Sequence, residues 1–230
     1  MKYLGSKNKI SKYLLPILLQ NRNNKTWIEP FVGGANLIDK IDGNRIGNDN
    51  NHYLISLFIA LQNGYIPPDT ISKDLYIDIK NNKENYPKEL VGFVGFCCSF
   101  GAKFFNGYAT DKTNRNYALE GKTNLLKQIK NLQNVKFFCG NYYDLDIPEN
   151  SLIYCDPPYE GTTKYNTKFN HNEFWNWCRN KSLEGHLVYI SEYNSPKDFE
   201  CIFEHETFTN FSLQKNINTK RIEKLFVYKG

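Results

Sequence analysis

No aspartate or glutamate precedes Glu29, while Lys2, Lys7, Lys9, Lys12, Arg22 and Lys25 all do, so the opening stretch gathers positive charge. No apolar run approaches the roughly 18 residues that a membrane-spanning helix needs, and the start Met1-Lys2-Tyr3-Leu4-Gly5 is not a secretory signal. These absences argue against a membrane-embedded role, with no membrane partner, and make a cytoplasmic location the expectation. The six cysteines, at 97, 98, 139, 155, 178 and 201, include no Cys-x-x-Cys pair and no histidine at zinc-ligand spacing. They are expected to be reduced core residues, and no metal is implied. Internal repeats are absent too, as are low-complexity tracts beyond a general abundance of Asn and Lys.

What is present suits a folded α/β protein. The 230 residues are about 40% apolar, enough for one sizeable core with an insertion, and the formal net charge of +5 favours an anionic partner such as nucleic acid. The most informative stretch is Leu152-Ile153-Tyr154-Cys155-Asp156-Pro157-Pro158-Tyr159. An apolar strand runs into an acid, two prolines and a ring, and the prolines force the chain out of the sheet where the Asp156 carboxylate is delivered. Read by itself, this is either a tight surface turn or a platform of acceptors beside a ring, suited to a planar amine.

Elsewhere, Gly5-Ser6-Lys7 reads as a loop opening a helix, with Ser6 as cap and Ile10, Leu14, Ile17 and Leu18 on one face. A strand over 26–31 runs into Val32-Gly33-Gly34-Ala35, where paired glycines let the backbone approach a ligand. A second strand, 45–49, ends in Asp49, which serves either as a ribose acceptor or as the cap of a helix over 53–61. Residues 62–134 read as an insertion. It carries the rings Phe93 and Phe96, expected inside, then a loop over 101–115 mixing aromatic and basic groups, then a helix over 122–131. A strand over 135–140, a helix over 173–181, a strand over 186–193 and an antiparallel pair over 199–205 and 224–228 complete a mostly parallel sheet.

Taken together, Lys2-Tyr3-Leu4-Gly5-Ser6-Lys7, Glu29-Pro30-Phe31-Val32-Gly33-Gly34, Asn48-Asp49 and Tyr154-Cys155-Asp156-Pro157-Pro158-Tyr159 resemble the DNA adenine-N6 methyltransferases of the Dam type, the D12 class. Ala35 stands where a third glycine is common in that family, and Asn141 where many relatives carry an acid. The resemblance implies a Rossmann-like, S-adenosylmethionine-dependent methyltransferase sheet with a mostly helical target-recognition insertion, divided 1–61, 62–134 and 135–230. It implies S-adenosylmethionine as donor and double-stranded DNA as partner, acting as a monomer and, in some settings, within restriction-modification. Tyr3 and Lys7 would meet the donor's carboxylate, Phe31 and Gly33 would line it, Asp49 would hold its ribose, and Asn141 and Tyr142 would flank its adenine. Asp156 lies close to the donor as well and, with the Pro157 carbonyl, would accept from the target amine. Tyr159 would stack on the flipped base, which needs the ring and not the hydroxyl. Lys103, Phe105, Asn106 and Arg115 are expected on DNA. The rival readings are another planar amine, such as cytosine N4 or an RNA adenine, and a non-catalytic DNA-binding relative.

Overall fold

The computed structural model describes residues 1–113, 115–160, 169–209 and 219–230. In chain order it contains α1 (Ser11–Leu19), β1 (Trp27–Glu29), β2 (Arg45–Asp49), α2 (His52–Gln62), α3 (Lys73–Asn81), α4 (Lys88–Cys97), α5 (Tyr117–Gln128), β3 (Val135–Cys139), β4 (Leu152–Cys155), α6 (His171–Leu183), β5 (Leu187–Glu192), β6 (Phe199–Thr209) and β7 (Thr219–Tyr228). The hydrogen-bonded strand order is β3-β2-β1-β4-β5-β7-β6. β2 and β3 run parallel, as do β4 and β5, while β7 is antiparallel to both β5 and β6. This is a Rossmann-like α/β sheet closed by an antiparallel hairpin. No helix among the described residues is long and apolar enough to cross a membrane.

The chain divides into two compact units, one comprising Met1–Trp27 with Phe31–Leu145 and the other Ile28–Pro30 with Asp146–Gly230. In the first, α2 starts at Asn51, whose side chain accepts from the N–H groups of Tyr53 and Leu54. Its apolar face, Leu54, Leu57, Phe58 and Leu61, is buried. Gly92 lets α4 close on α2, since a Cβ there would lie 2.2 Å from the Tyr53 carbonyl oxygen. Phe93 and Phe96 point inward, as expected.

In the second unit β4 is buried along its whole length, Leu152, Ile153, Tyr154 and Cys155. An unbroken apolar run is what a parallel strand covered on both faces requires. It stops where Pro157 and Pro158 can offer no N–H to a ladder. α6 is capped by Asn170, whose side chain accepts from the Glu173 N–H.

Three expectations need correction. The helix placed over 122–131 begins earlier, at Tyr117, because Asn116 caps it by accepting from the Leu119 N–H. The closing strands are longer than expected and pair from Phe199↔Tyr228 to Thr209↔Thr219, with a bulge between Cys201 and Phe203. All six cysteines are free thiols, but Cys139 and Cys201 are exposed and Cys97 only half-buried, so only Cys98, Cys155 and Cys178 are core residues.

Candidate active site

In the first unit the glycine turn after β1 meets the acid that ends β2. The Asp49 Oδ2 accepts from the Gly33 N–H at 3.1 Å and its Oδ1 from the Asn51 N–H at 2.9 Å. Burial raises the pKa of this carboxyl, and the N–H groups of Asn51, Gly33 and Asn50 pull it back down. The cap of α2 is thus Asn51, and Asp49 instead ties the turn to the strand end. Neighbouring bonds lock the same corner: Val32 N–H to the Asn48 carbonyl at 2.7 Å, Asn48 Nδ2 to the Gly140 carbonyl at 3.0 Å, and Gly140 N–H to the Asp49 carbonyl at 3.2 Å.

The paired glycines admit a side chain of this protein. A Cβ on Gly33, whose φ is +47°, would lie 2.8 Å from the Tyr3 ring, and one on Gly34 would lie 2.6 Å from the Tyr3 Cβ. Tyr3 in turn packs on Phe96, ring centroids 5.4 Å apart. The next residue, Ala35, has φ +53° without being glycine, a left-handed conformation that costs strain for a residue with a Cβ.

Lys7 is buried, with Nζ 3.5 Å from the Gly5 carbonyl, and Ser6 caps the 3-10 turn Lys7–Lys9 through the Asn8 N–H. Phe31 and Tyr142 face each other with ring centroids 5.2 Å apart. Asn141 is exposed, its Nδ2 donating to Asp144 at 3.3 Å. Thus the donor-site candidates Tyr3, Lys7, Phe31, Gly33, Asp49, Asn141 and Tyr142 fall in the first unit, and the remaining one, Asp156, in the second.

The second unit holds the candidates for the target amine. Asp156 is half-buried at the end of β4, and Pro157 behind it is buried. The Tyr159 hydroxyl donates to Glu223 Oε2 at 3.0 Å, and its ring meets Tyr193 edge-on at 4.6 Å. Its pKa is pushed well up, by burial first and then by the charges of Asp156 and Glu223. Tyr154 shares a 2.8 Å hydrogen bond with Ser191, and its pKa is raised by burial, by Asp156 and by Glu29.

Sequence reasoning overlooked Glu192 and Glu223. Glu192 is only 1% exposed, at the end of β5, with oxygens accepting from the N–H groups of Glu160 and Tyr193. Burial pushes its pKa up to about 7 against those two bonds, with Glu160 and Asp156 adding to the rise. His171 Nδ1 stands 3.9 Å away. The signal was available, for Ser191-Glu192-Tyr193 repeats the pattern that singled out Asp156, an apolar strand ending in an acid and a ring. Glu223 carries no comparable local signal.

Of the residues expected on DNA, Phe105 needs correction. It is 7% exposed, packed against Tyr76 and Phe104 at 5.4 and 4.7 Å, with the Lys83 ammonium over its face. That leaves no face for a base. Phe100, immediately before this loop, is exposed, at 57%. Asn106 is exposed and Lys103 half-buried. Arg115 is exposed and paired with Glu120 at 2.6 Å. Asn114, inside the same loop, lies outside the described residues.

A family model described as D12 class N6 adenine-specific DNA methyltransferase matches residues 3–91 and 89–195. Modification methylase StsI of Streptococcus sanguinis is 24% identical over 97% of this chain and 39% of its own length. The type II methyltransferase M.FokI of Planomicrobium okeanokoites is 25% identical over 76% of this chain and 31% of its own. M.MjaIII of Methanocaldococcus jannaschii is 26% identical over 75% of this chain and 74% of its own. The chain thus spans about a third of the length of the first two relatives. The matched residues take in Tyr3, the glycine turn, Asp49 and the Asp156–Tyr159 turn, and the chain belongs to the D12 class N6 adenine-specific DNA methyltransferase family.

Proposed function

We propose that this chain transfers a methyl group from S-adenosylmethionine to the N6 amine of an adenine flipped out of duplex DNA. The observation that supports it most is the way β4 ends. A fully buried strand delivers a half-buried carboxylate, Asp156, followed by two residues that offer carbonyls but no N–H, and then a ring anchored through its hydroxyl.

The exocyclic amine of adenine is a poor nucleophile because its lone pair is delocalised into the ring. Asp156 and the Pro157 carbonyl, each accepting one N–H, favour the tetrahedral nitrogen that forms as the methyl arrives. They do so more in the transition state than in the ground state. Positive charge grows on that nitrogen, and the carboxylates gathered around the turn stabilise it. Flipping costs a few kcal/mol of stacking, of which Tyr159 returns roughly 1 to 3 kcal/mol.

The first unit's residues fit the donor. Asp49 has backbone partners in Gly33, Asn51 and Asn50, and a carboxylate has about four lone-pair sites, so it can still accept from a ribose hydroxyl. Lys7 suits a carboxylate, and the rings of Phe31 and Tyr142 suit a heterocycle. When bound, the donor supplies a methyl group made electrophilic by its sulfonium. On the DNA side the reading keeps Lys103, Asn106 and Arg115 and substitutes Phe100 for Phe105. Relatives named for modification and type II methylation extend the reading to protection of a restriction site.

The test is incubation of mixed-sequence duplex DNA with labelled donor, followed by digestion and nucleoside mass spectrometry. Label in N6-methyladenine is expected. Label in N4-methylcytosine, or donor binding without transfer, would overturn the reading.

A further inference from the structure

β5 ends beside the Asp-Pro-Pro-Tyr turn and holds it. Glu192 Oε1 accepts the N–H of Glu160, the residue directly after Tyr159, at 2.7 Å, while its other oxygen takes the N–H of Tyr193. β5 pairs with β7 so that Glu192 lies opposite Lys224. Side chains alternate along a strand, so Glu223, one position earlier, projects from the other face of the sheet. From that face its Oε2 accepts the Tyr159 hydroxyl at 3.0 Å. The contacts agree with the alternation: Glu192 has His171 of α6 at 3.9 Å, whereas Glu223 contributes to the field on Tyr154 and Tyr159. The Tyr193 ring also packs on Tyr159 in a T-shaped contact, centroids 4.6 Å apart. Glu223 lies beyond residue 195, where the family match ends.

Building on the methyl-transfer reading above, we propose that Glu192 and Glu223 are positioning residues which fix the Asp-Pro-Pro-Tyr turn from opposite faces of the sheet. Glu223 sets the plane of the Tyr159 ring on which the flipped adenine stacks, and Glu192 fixes the backbone that follows it. Stacking depends on ring plane and offset, and a hydroxyl tied to a strand removes the freedom of the ring to tilt. Neither carboxylate touches the reacting atoms. Each acts through the turn.

The test is a double-mutant cycle of Tyr159→Phe and Glu223→Ala, read both by kinetics of transfer to DNA and by unfolding in urea. Each single variant is expected to lower kcat roughly tenfold, the scale of one hydrogen bond to a charged group, with KM for the donor within about twofold. Because both remove the same bond, the double variant should fall no further, and the urea midpoints should be equally non-additive. For Glu192, kcat should decrease in the order wild type, Glu192→Gln, Glu192→Ala, since Gln retains one acceptor, again with KM unmoved. Additive losses in either readout of the cycle, or equal kcat for the two Glu192 variants, would overturn the proposal. Non-additive urea midpoints across the cycle, with a wild-type chain that transfers no methyl group, would overturn the methyl-transfer reading instead, and the positioning role with it.

Discussion

The two units carry chemically opposite sets of candidate residues. In the first, side chains serve the backbone: Asp49 gathers the N–H groups of Gly33 and Asn51, and Tyr3 fills the space that Gly33 and Gly34 leave open. In the second, carboxylates collect, with Glu29 and Glu192 buried and Asp156 and Glu223 half-buried, and the hydroxyls of Tyr154 and Tyr159 are raised in pKa by burial first and then by the charges of Asp156 and Glu223. The contrast follows from the two tasks. A donor has to be held in one shape, which calls for a stiff cradle of short contacts. An amine that becomes cationic has to be stabilised while it reacts, which calls for preorganised negative charge whose desolvation the fold has already met.

Several substitutions would break or sharpen that contrast. The largest stability effect is expected of Gly34→Ala, whose methyl would meet the Tyr3 Cβ and the Asn36 Nδ2 at 2.6 Å. Overpacking of this kind costs about 2 to 3 kcal/mol. Urea unfolding should show that loss, and calorimetry should show weakened donor binding, while a substitution in the acidic half leaves donor affinity alone.

Next is the pH response of the acidic half. The folded Glu192 carboxyl binds its proton more tightly than the unfolded one, since its pKa rises from 4.5 to about 7. Its contribution to stability is therefore complete below the unfolded value and is lost as pH climbs through that window, by up to about 3 kcal/mol. Asp156 and Glu160 work with this rise; His171 Nδ1 also faces the carboxyl at 3.9 Å, and Lys224 is its register partner, paired with Glu204 at 3.3 Å. Urea midpoints from pH 4.5 to 8 should fall more steeply for wild type than for Glu192→Gln. Parallel curves would remove Glu192 from the account.

The smallest effect belongs to the cradle. Ala35 sits at φ +53°, and Ala35→Gly relieves left-handed strain at an entropic cost, for a net gain of about 0.5 to 1 kcal/mol. A loss of stability would show that the Ala35 methyl contributes packing that outweighs the strain.

Much of the frame was legible in the sequence. β2 runs over 45–49 as read, and the apolar run 152–155 is a strand that ends at Asp156, because buried parallel strands and proline breaks leave strong local marks. What was hidden depended on partners distant in the chain. The reason for Gly33 and Gly34 is Tyr3, some thirty residues earlier. Phe105, in the 101–115 loop, is buried against Tyr76 on α3, while Phe100, just before that loop, is exposed. Glu223 acquires its place only through the register of β7 on β5. Glu192 is the exception, for its local pattern matches that of Asp156 and needed only to be read twice.

The central claim is that binding the donor and activating the amine are separable tasks of the two units. The measurement that tests it most directly pairs Asp49→Ala with Asp156→Ala, each assayed for donor affinity by calorimetry and for kcat with saturating labelled donor. Asp156→Ala is expected to lose roughly 10² to 10³ in kcat with donor affinity within about threefold of wild type, and Asp49→Ala to lose donor affinity with most of kcat recovered at saturation. Near-normal kcat in Asp156→Ala, or equal loss of both quantities in both variants, would contradict the account.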